Sequence, residues 1–168
     1  MPVNHGHLNQ EEYRAIRKVI GFSQQEIQDF HGLKNIRTIH CWEKGKSTTS
    51  ATACEKLLNH LAYANDFVQR KLWEQKHYRN QPVVFLTYRD EDENLYMQVA
   101  QNDFYYLSDY KMAIARAYVE ALEQELDAHI VIFDPVKYES YLEATNSEDM
   151  TETRENWARA YYMRYVKP

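Results

Sequence analysis

A chain of 168 residues, 44% of them hydrophobic, has enough material for one ordinary domain or two small ones sharing a core. Its formal charge of -5 is unevenly spread: residues 1–80 carry twelve Lys/Arg against eight Asp/Glu, residues 81–168 eight against seventeen. No stretch approaches the roughly 20 apolar residues of a membrane span, and the first ten residues lack the basic and apolar regions of a signal peptide.

The two cysteines, Cys41 and Cys54, form no spaced framework, which suits free thiols in a reducing cytoplasm. Four glycines leave little for phosphate-cradling loops, and neither GxGxxG nor GxxxxGK[ST] occurs, so no cofactor is expected. Phosphate contacts need only a local basic face, and the positive first half is compatible with one.

Asn9 is the expected cap of a first helix, with Glu11 and Glu12 in its first turn and Tyr13, Ile16 and Ile20 buried, Val19 alongside. Gly21 stops it. Ser23 and Glu26 make the Ser-x-x-Glu capping box of a second helix, whose Ile27 and Phe30 face inward and which Gly32 ends. Asn35 then caps a third helix that runs to Gly45. There Ile36, Ile39 and Glu43 share the inner face with Trp42, while Arg37, Thr38, Cys41 and Lys44 look outward. Two short helices on a tight turn are how many proteins place one helix in the DNA major groove. Arg37 can make the bidentate contact to guanine, Thr38 or Ile36 can meet a thymine methyl, and Lys44, Lys46 and Ser47 are placed for phosphates. Ser50 caps a fourth helix with the stripe Leu57, Leu61, Ala64, Val68 and Leu72, running to about Tyr78. Its second half is a connector or dimer element, or else a plain core helix. Arg70, Lys71, Lys76 and Arg79 read as its solvated face.

Asn80, Gln81 and Pro82 mark a boundary, after which the pattern changes. Residues 83–88 and 95–100, separated by an acidic turn, suggest a hairpin, with Leu95, Met97 and Val99 on one side. Ser108 opens a helix with Met112, Ala115, Val119, Leu122 and Leu126 in one stripe, and residues 129–133 read as a buried strand. Asp134 and Pro135 start a helix carrying Tyr138, Tyr141 and Leu142. A last helix from about Met150 carries Trp157 and Tyr161. His77, His129 and scattered carboxylates form no nucleophile or metal-ligand pattern, and His5 and His7 make at most an adventitious site.

Residues 13–62 resemble the helix-turn-helix domain of the Cro and lambda-repressor superfamily. Ser23, Gln24, Glu26 and Ile27, then Ile39, Trp42, Glu43, Gly45 and Lys46, carry the resemblance. More narrowly, residues 15–23 and 41–50 resemble the small phage and bacterial regulators that include anti-CRISPR-associated repressors. The resemblance implies that Gln24 meets phosphate, that Ile36, Arg37 and Cys41 face bases, and that Glu43 pairs with Arg17 to lock the helices together. The turn over residues 32–35 is one residue longer than the commonest spacing in that family.

The expected fold is therefore α+β. Residues 1–80 form a helix-turn-helix domain of four to five helices, and residues 81–168 a small α/β dimerisation or sensing domain with about three strands. The expected function is a sequence-specific transcriptional regulator, a repressor that binds double-stranded DNA at a palindromic operator as a homodimer. Gln24, Asn35, Ile36, Arg37, Thr38, Cys41, Lys44 and Lys46 form its DNA-facing set. An antitoxin-like protein-interaction module, with the helices as scaffold, is the alternative. An enzyme in residues 83–168 would need convergent titratable groups.

Overall fold

The computed structural model describes residues 7–76, 81–99 and 104–167; His5, His77, Tyr78, Arg79, Asn80 and Ala100 lie outside them. The chain is a mixed α+β protein with two compact units, Met1–Phe67 and Val68–Pro168. The division falls inside the fourth helix, upstream of the change of sequence pattern at residues 80–82.

The first unit holds α1 (Gln10–Ile20), α2 (Gln24–Phe30), α3 (Arg37–Glu43) and the first part of α4 (Ala51–Lys76). Local chemistry sets each start. Asn9 accepts from the N–H groups of Glu11 and Glu12 while the Glu12 carboxylate takes the Asn9 N–H, and Ser23 and Glu26 repeat this reciprocal cap on α2. Ser50 Oγ accepts from the Ala53 N–H at 3.2 Å. Gly32 turns the chain between α2 and α3 at φ +67°, where a side chain would be strained.

The core gathers Tyr13, Ile20, Phe22, Ile27, Phe30, Ile39, Trp42 and Leu57. Phe22 stacks on His60 at 5.2 Å and Tyr13 meets Trp42 edge-on at 5.6 Å. Two expected positions differ. Ile16 is half-buried and Val19 is exposed, because the buried arc of α1 is Tyr13, Arg17 and Ile20. These sit at i, i+4 and i+7, so a cation occupies a place that hydrophobic patterning assigns to an isoleucine. Ile36 is likewise only half-buried, at the outer end of α3.

In the second unit β1 (Val83–Thr87) leads through a short 3₁₀ turn (Asp90–Asp92) to α5 (Glu93–Val99) and α6 (Leu107–Glu123). Then come β2 (Ala128–Ile132), α7 (Pro135–Thr145), α8 (Thr151–Tyr161) and a π-helical turn (Tyr162–Val166). The two strands are parallel, in register from Val83↔Ala128 to Thr87↔Ile132. This corrects the expected hairpin and the count of three strands: among the described residues the sheet has two. Residues 93–99 are helical, with Glu93 in the first turn where the dipole favours an acid, and Tyr96 is their buried residue. The alternation of Leu95, Met97 and Val99 mimicked a strand.

The expected α6 stripe is also displaced. Met112, Val119 and Leu122 are exposed, and the helix buries Tyr110, Ala113, Ile114, Ala117 and Ala121. Three alanines let α6 approach the sheet closely, which the bulkier stripe would prevent. In β2 only Ala128 and Val131 are buried, whereas Ile130 is 41% and Ile132 52% exposed. Asp134 does cap α7, accepting from the Lys137 N–H at 3.1 Å, with Pro135 at the first helical position.

A charged cluster organises this unit. Arg154 is 2% exposed and grips Asp149 with two bonds of 2.8 and 2.7 Å, while its third nitrogen donates to the Leu95 carbonyl at 2.6 Å. Tyr138 donates to the same carboxylate at 2.8 Å, and the guanidinium lies 4.6 Å from the Phe133 ring centre. Lys71, expected in solvent, is instead largely buried and bonds to Glu155 at 2.6 Å. Among the described residues no helix is long and apolar enough to cross a membrane.

Candidate nucleic-acid interface

The outward face of α3 is positioned from within by Glu43. This carboxylate is 4% exposed and accepts from Arg17 Nε at 2.5 Å, from Arg17 Nη2 at 3.2 Å and from Gln24 Nε2 at 2.8 Å. Arg17 also donates to the Phe22 carbonyl at 2.6 Å, tying α1 to the chain that enters α2. Arg14 donates to the Glu43 carbonyl and sits 3.8 Å from its carboxylate. Burial pushes the Glu43 carboxyl up. The bonds from Arg17 and Gln24 and the charges of Arg17 and Arg14 outweigh that push, so it stays ionised below the usual carboxylate range. One buried acid thus fixes α1, α2 and α3 to one another.

The expected DNA-facing residues fall into two groups around this anchor. Arg37, Lys44 and Lys46 are exposed, as is Asn35, whose Oδ1 accepts from the Arg37 N–H at 2.8 Å and whose carbonyl accepts from Thr38 at 3.1 Å. The expected cap at Asn35 is shifted by one: Ile36 holds the capping position of α3 with no side-chain cap bond, and Asn35 supports the first helical residue from just before it. Ile36, Thr38 and Cys41 are half-buried along the helix, and Gln24 is half-buried with its amide turned to Glu43. The Cys41 carbonyl accepts from the N–H groups of Lys46 (2.8 Å) and Ser47 (3.4 Å), folding these residues back against the end of α3. Gly45 makes that fold possible at φ +66°.

Electrostatics distinguish this face from the rest of the unit. Between residues 31 and 54 the cations are Lys34, Arg37, Lys44 and Lys46, and the single acid is Glu43. Glu43 is turned inward and neutralised by Arg14 and Arg17, so the four cations face solvent with no ion pair to any described residue. Hydropathy patterning missed Arg14 and Lys34. The spacing of Arg14 from Arg17, one turn along α1, was the available signal for the former.

Behind the face, Tyr13 Oη and His31 Nε2 are 3.1 Å apart. Burial and the charge of Lys56 lower the His31 pKa to about 4, so at neutral pH the ring is uncharged and its Nε2 can accept a hydrogen bond from the tyrosine hydroxyl. Lys56 itself donates to the Phe30 carbonyl and covers the Phe30 ring at 4.3 Å. It therefore serves packing, with its cation held close to the core. No protein-family model and no curated protein matches the chain.

Proposed function

We propose that the chain is a sequence-specific DNA-binding regulator, with α2 and α3 as a helix-turn-helix and α3 as the helix that enters the major groove. The observation that carries this reading is the set of cations Lys34, Arg37, Lys44 and Lys46 around one short helix, with no ion pair among the described residues, and the helix's only acid withdrawn into an internal ion pair. A solvated face would ordinarily intersperse acids among these cations. Arg37 is the base-reading residue, its fork suited to guanine O6 and N7, and Thr38 and Cys41 follow it along the groove. Lys44, Lys46 and Ser47 hold the backbone at the other end. The protein acts as a repressor, two copies reading the half-sites of a palindrome about 34 Å apart.

The test is a binding titration of the full chain against the DNA upstream of its own gene, at several salt concentrations. With Lys34, Lys44 and Lys46 on phosphates and Arg37 on a base, the log–log salt slope should be about -3 per protomer. Arg37→Ala should cost about 1–3 kcal/mol on the cognate site and much less on random DNA. A slope near zero, or equal affinity for both DNAs in the parent protein, would replace this reading with a protein-interaction module built on the same helices.

A further inference from the structure

The two strands of the small sheet have different outer edges. On β1, residues 83–86 are buried and the Tyr110 hydroxyl donates to the outward Leu86 carbonyl at 2.7 Å, so that edge lies within the core. β2 has no second described strand beside it. Its bonds to β1 end with Val83 N–H to the Asp127 carbonyl and Phe133 N–H to the Thr87 carbonyl, both at 2.8 Å. The alternation of a parallel ladder in this register turns residues 127, 129, 131 and 133 toward β1. The N–H and C=O groups of Ala128, Ile130 and Ile132 then point away from it. Ile130 and Ile132 line a groove of about 590 Å³ bordered by Tyr118 of α6, by Arg89 and Lys137, and by Tyr162 and Val166 of the C-terminal turn, while Ala128 is buried. His129 stacks on Tyr162 at 4.2 Å, so Ile130 and Ile132 project to the opposite face, where both are about half exposed.

We propose that this edge is the dimer interface: β2 pairs antiparallel with β2 of a second copy, about a two-fold axis at Ile130, making a four-stranded sheet. The proposal deepens the operator-binding reading, which requires a two-fold dimer, and rests on it for its biological purpose. A second copy fits this edge because the outward-facing set is symmetric about its own centre. With Ile130 opposite Ile130, residue 128 falls opposite residue 132 on both sides. All six outward N–H and C=O groups of each copy are then exchanged in closed pairs. The small Ala128 meets the large Ile132 across the axis. Asp127 falls opposite Phe133, so no acid is set directly against another acid.

The helices agree with this pairing. α6 packs on both strands, so the two-fold sets the two copies of α6 two strand spacings apart, about 9.6 Å, inside the 8–10 Å range of packed helices. Tyr118 borders the groove, and the exposed Leu122, one turn further on, lies on the same side of α6. That flank extends the contact beyond the strands toward the roughly 800 Å² per partner of a stable interface.

The test measures the molar mass of the full chain by light scattering at tens of micromolar, without DNA. The parent protein should give twice the chain's 20.1 kDa. Ile130→Lys and Ile130→Glu, each opposing its own charge across the axis, should both be monomers of unchanged circular dichroism, and their equimolar mixture should recover the dimer. In a Cys41→Ser background, Ile130→Cys should form an intermolecular disulfide on mild oxidation, because opposed residues of this kind have Cα atoms about 5.5 Å apart. The disulfide also covers the case in which a charged variant fails to fold. A monomeric parent protein overturns the proposal, as do charged variants that remain dimeric, a mixture that stays monomeric, or absence of the disulfide. Monomers with salt-sensitive DNA binding would remove the interface alone. A dimer indifferent to DNA would remove the operator reading alone.

Discussion

Each unit of this protein is centred on one buried ion pair, and the two are built in opposite senses. In the first, an acid is the hub: Glu43 collects Arg14, Arg17 and Gln24 from two other helices. In the second, a cation is the hub: Arg154 holds Asp149 and the Leu95 carbonyl, beneath a set of aromatic rings. The difference bears on function. An internal acid absorbs cations and leaves the outer lysines and Arg37 to define the sign of the surface. An internal arginine instead absorbs an acid and a carbonyl in a half that is already strongly acidic. The first arrangement orients a charged face outward, while the second holds irregular chain together.

Arg154 is the more sensitive of the two hubs. Arg154→Ala removes two carboxylate bonds, a carbonyl bond and the stacking on Phe133. It should lower unfolding free energy by about 4 kcal/mol in urea denaturation. Arg154→Met, which keeps packing but no donor, should recover only part of that.

Glu43→Gln should cost somewhat less, about 3 kcal/mol, because Arg17 stays buried beside a neutral amide. Its distinguishing sign is functional: under the proposed reading DNA affinity should fall with stability in a binding titration, even though none of the residues proposed to face DNA has changed. The same carboxylate carries a pH signature. Its folded pKa is depressed, so its stabilisation is complete above the ordinary carboxylate value and is lost as pH falls through the folded one.

His31 should act at a higher pH. Its folded pKa of about 4 lies below the ordinary 6.5, so protonation favours the unfolded chain as pH drops from 6.5 toward 4. The loss should reach about 2 kcal/mol, partial exposure of the ring taken into account. His31→Phe should flatten a plot of stability against pH in that window; an unchanged slope there would assign the acid sensitivity to other groups. Arg37→Ala sits at the bottom of the scale for stability, with under about 0.5 kcal/mol expected, which makes it the clean probe of binding.

The first unit was legible in the sequence because its signals are local. Asn9, Ser23 and Glu26 act within one helical turn, and Gly21, Gly32 and Gly45 stand where φ must be positive. The Arg17–Glu43 pair came from the resemblance, since nothing in spacing alone joins residues 26 apart. The second unit resisted because its determinants are distant. The partner of β1 lies beyond two helices, while an alternating run close by imitated a hairpin arm. Alanines on α6 carry little weight in a hydrophobic stripe, yet they are what the sheet admits. Nothing in the sequence singles out Arg154, and only the fold brings Asp149, Tyr138 and Leu95 around it.

The parallel pairing of β1 with β2 also sets an order of events in time. Val83 meets Ala128 only after the 44 residues between them have been made, and α8, which packs on β1, comes later still. The first unit depends on helices joined by short turns, whose contacts close quickly. During synthesis the helices of the first unit can therefore be in place while β1 is still without a partner. The hydrophobic run of residues 83–86 is the segment most at risk of wrong pairing in that interval. Expression at lower temperature, or slower elongation past residue 128, should raise the folded yield of this chain more than any change in the first sixty residues.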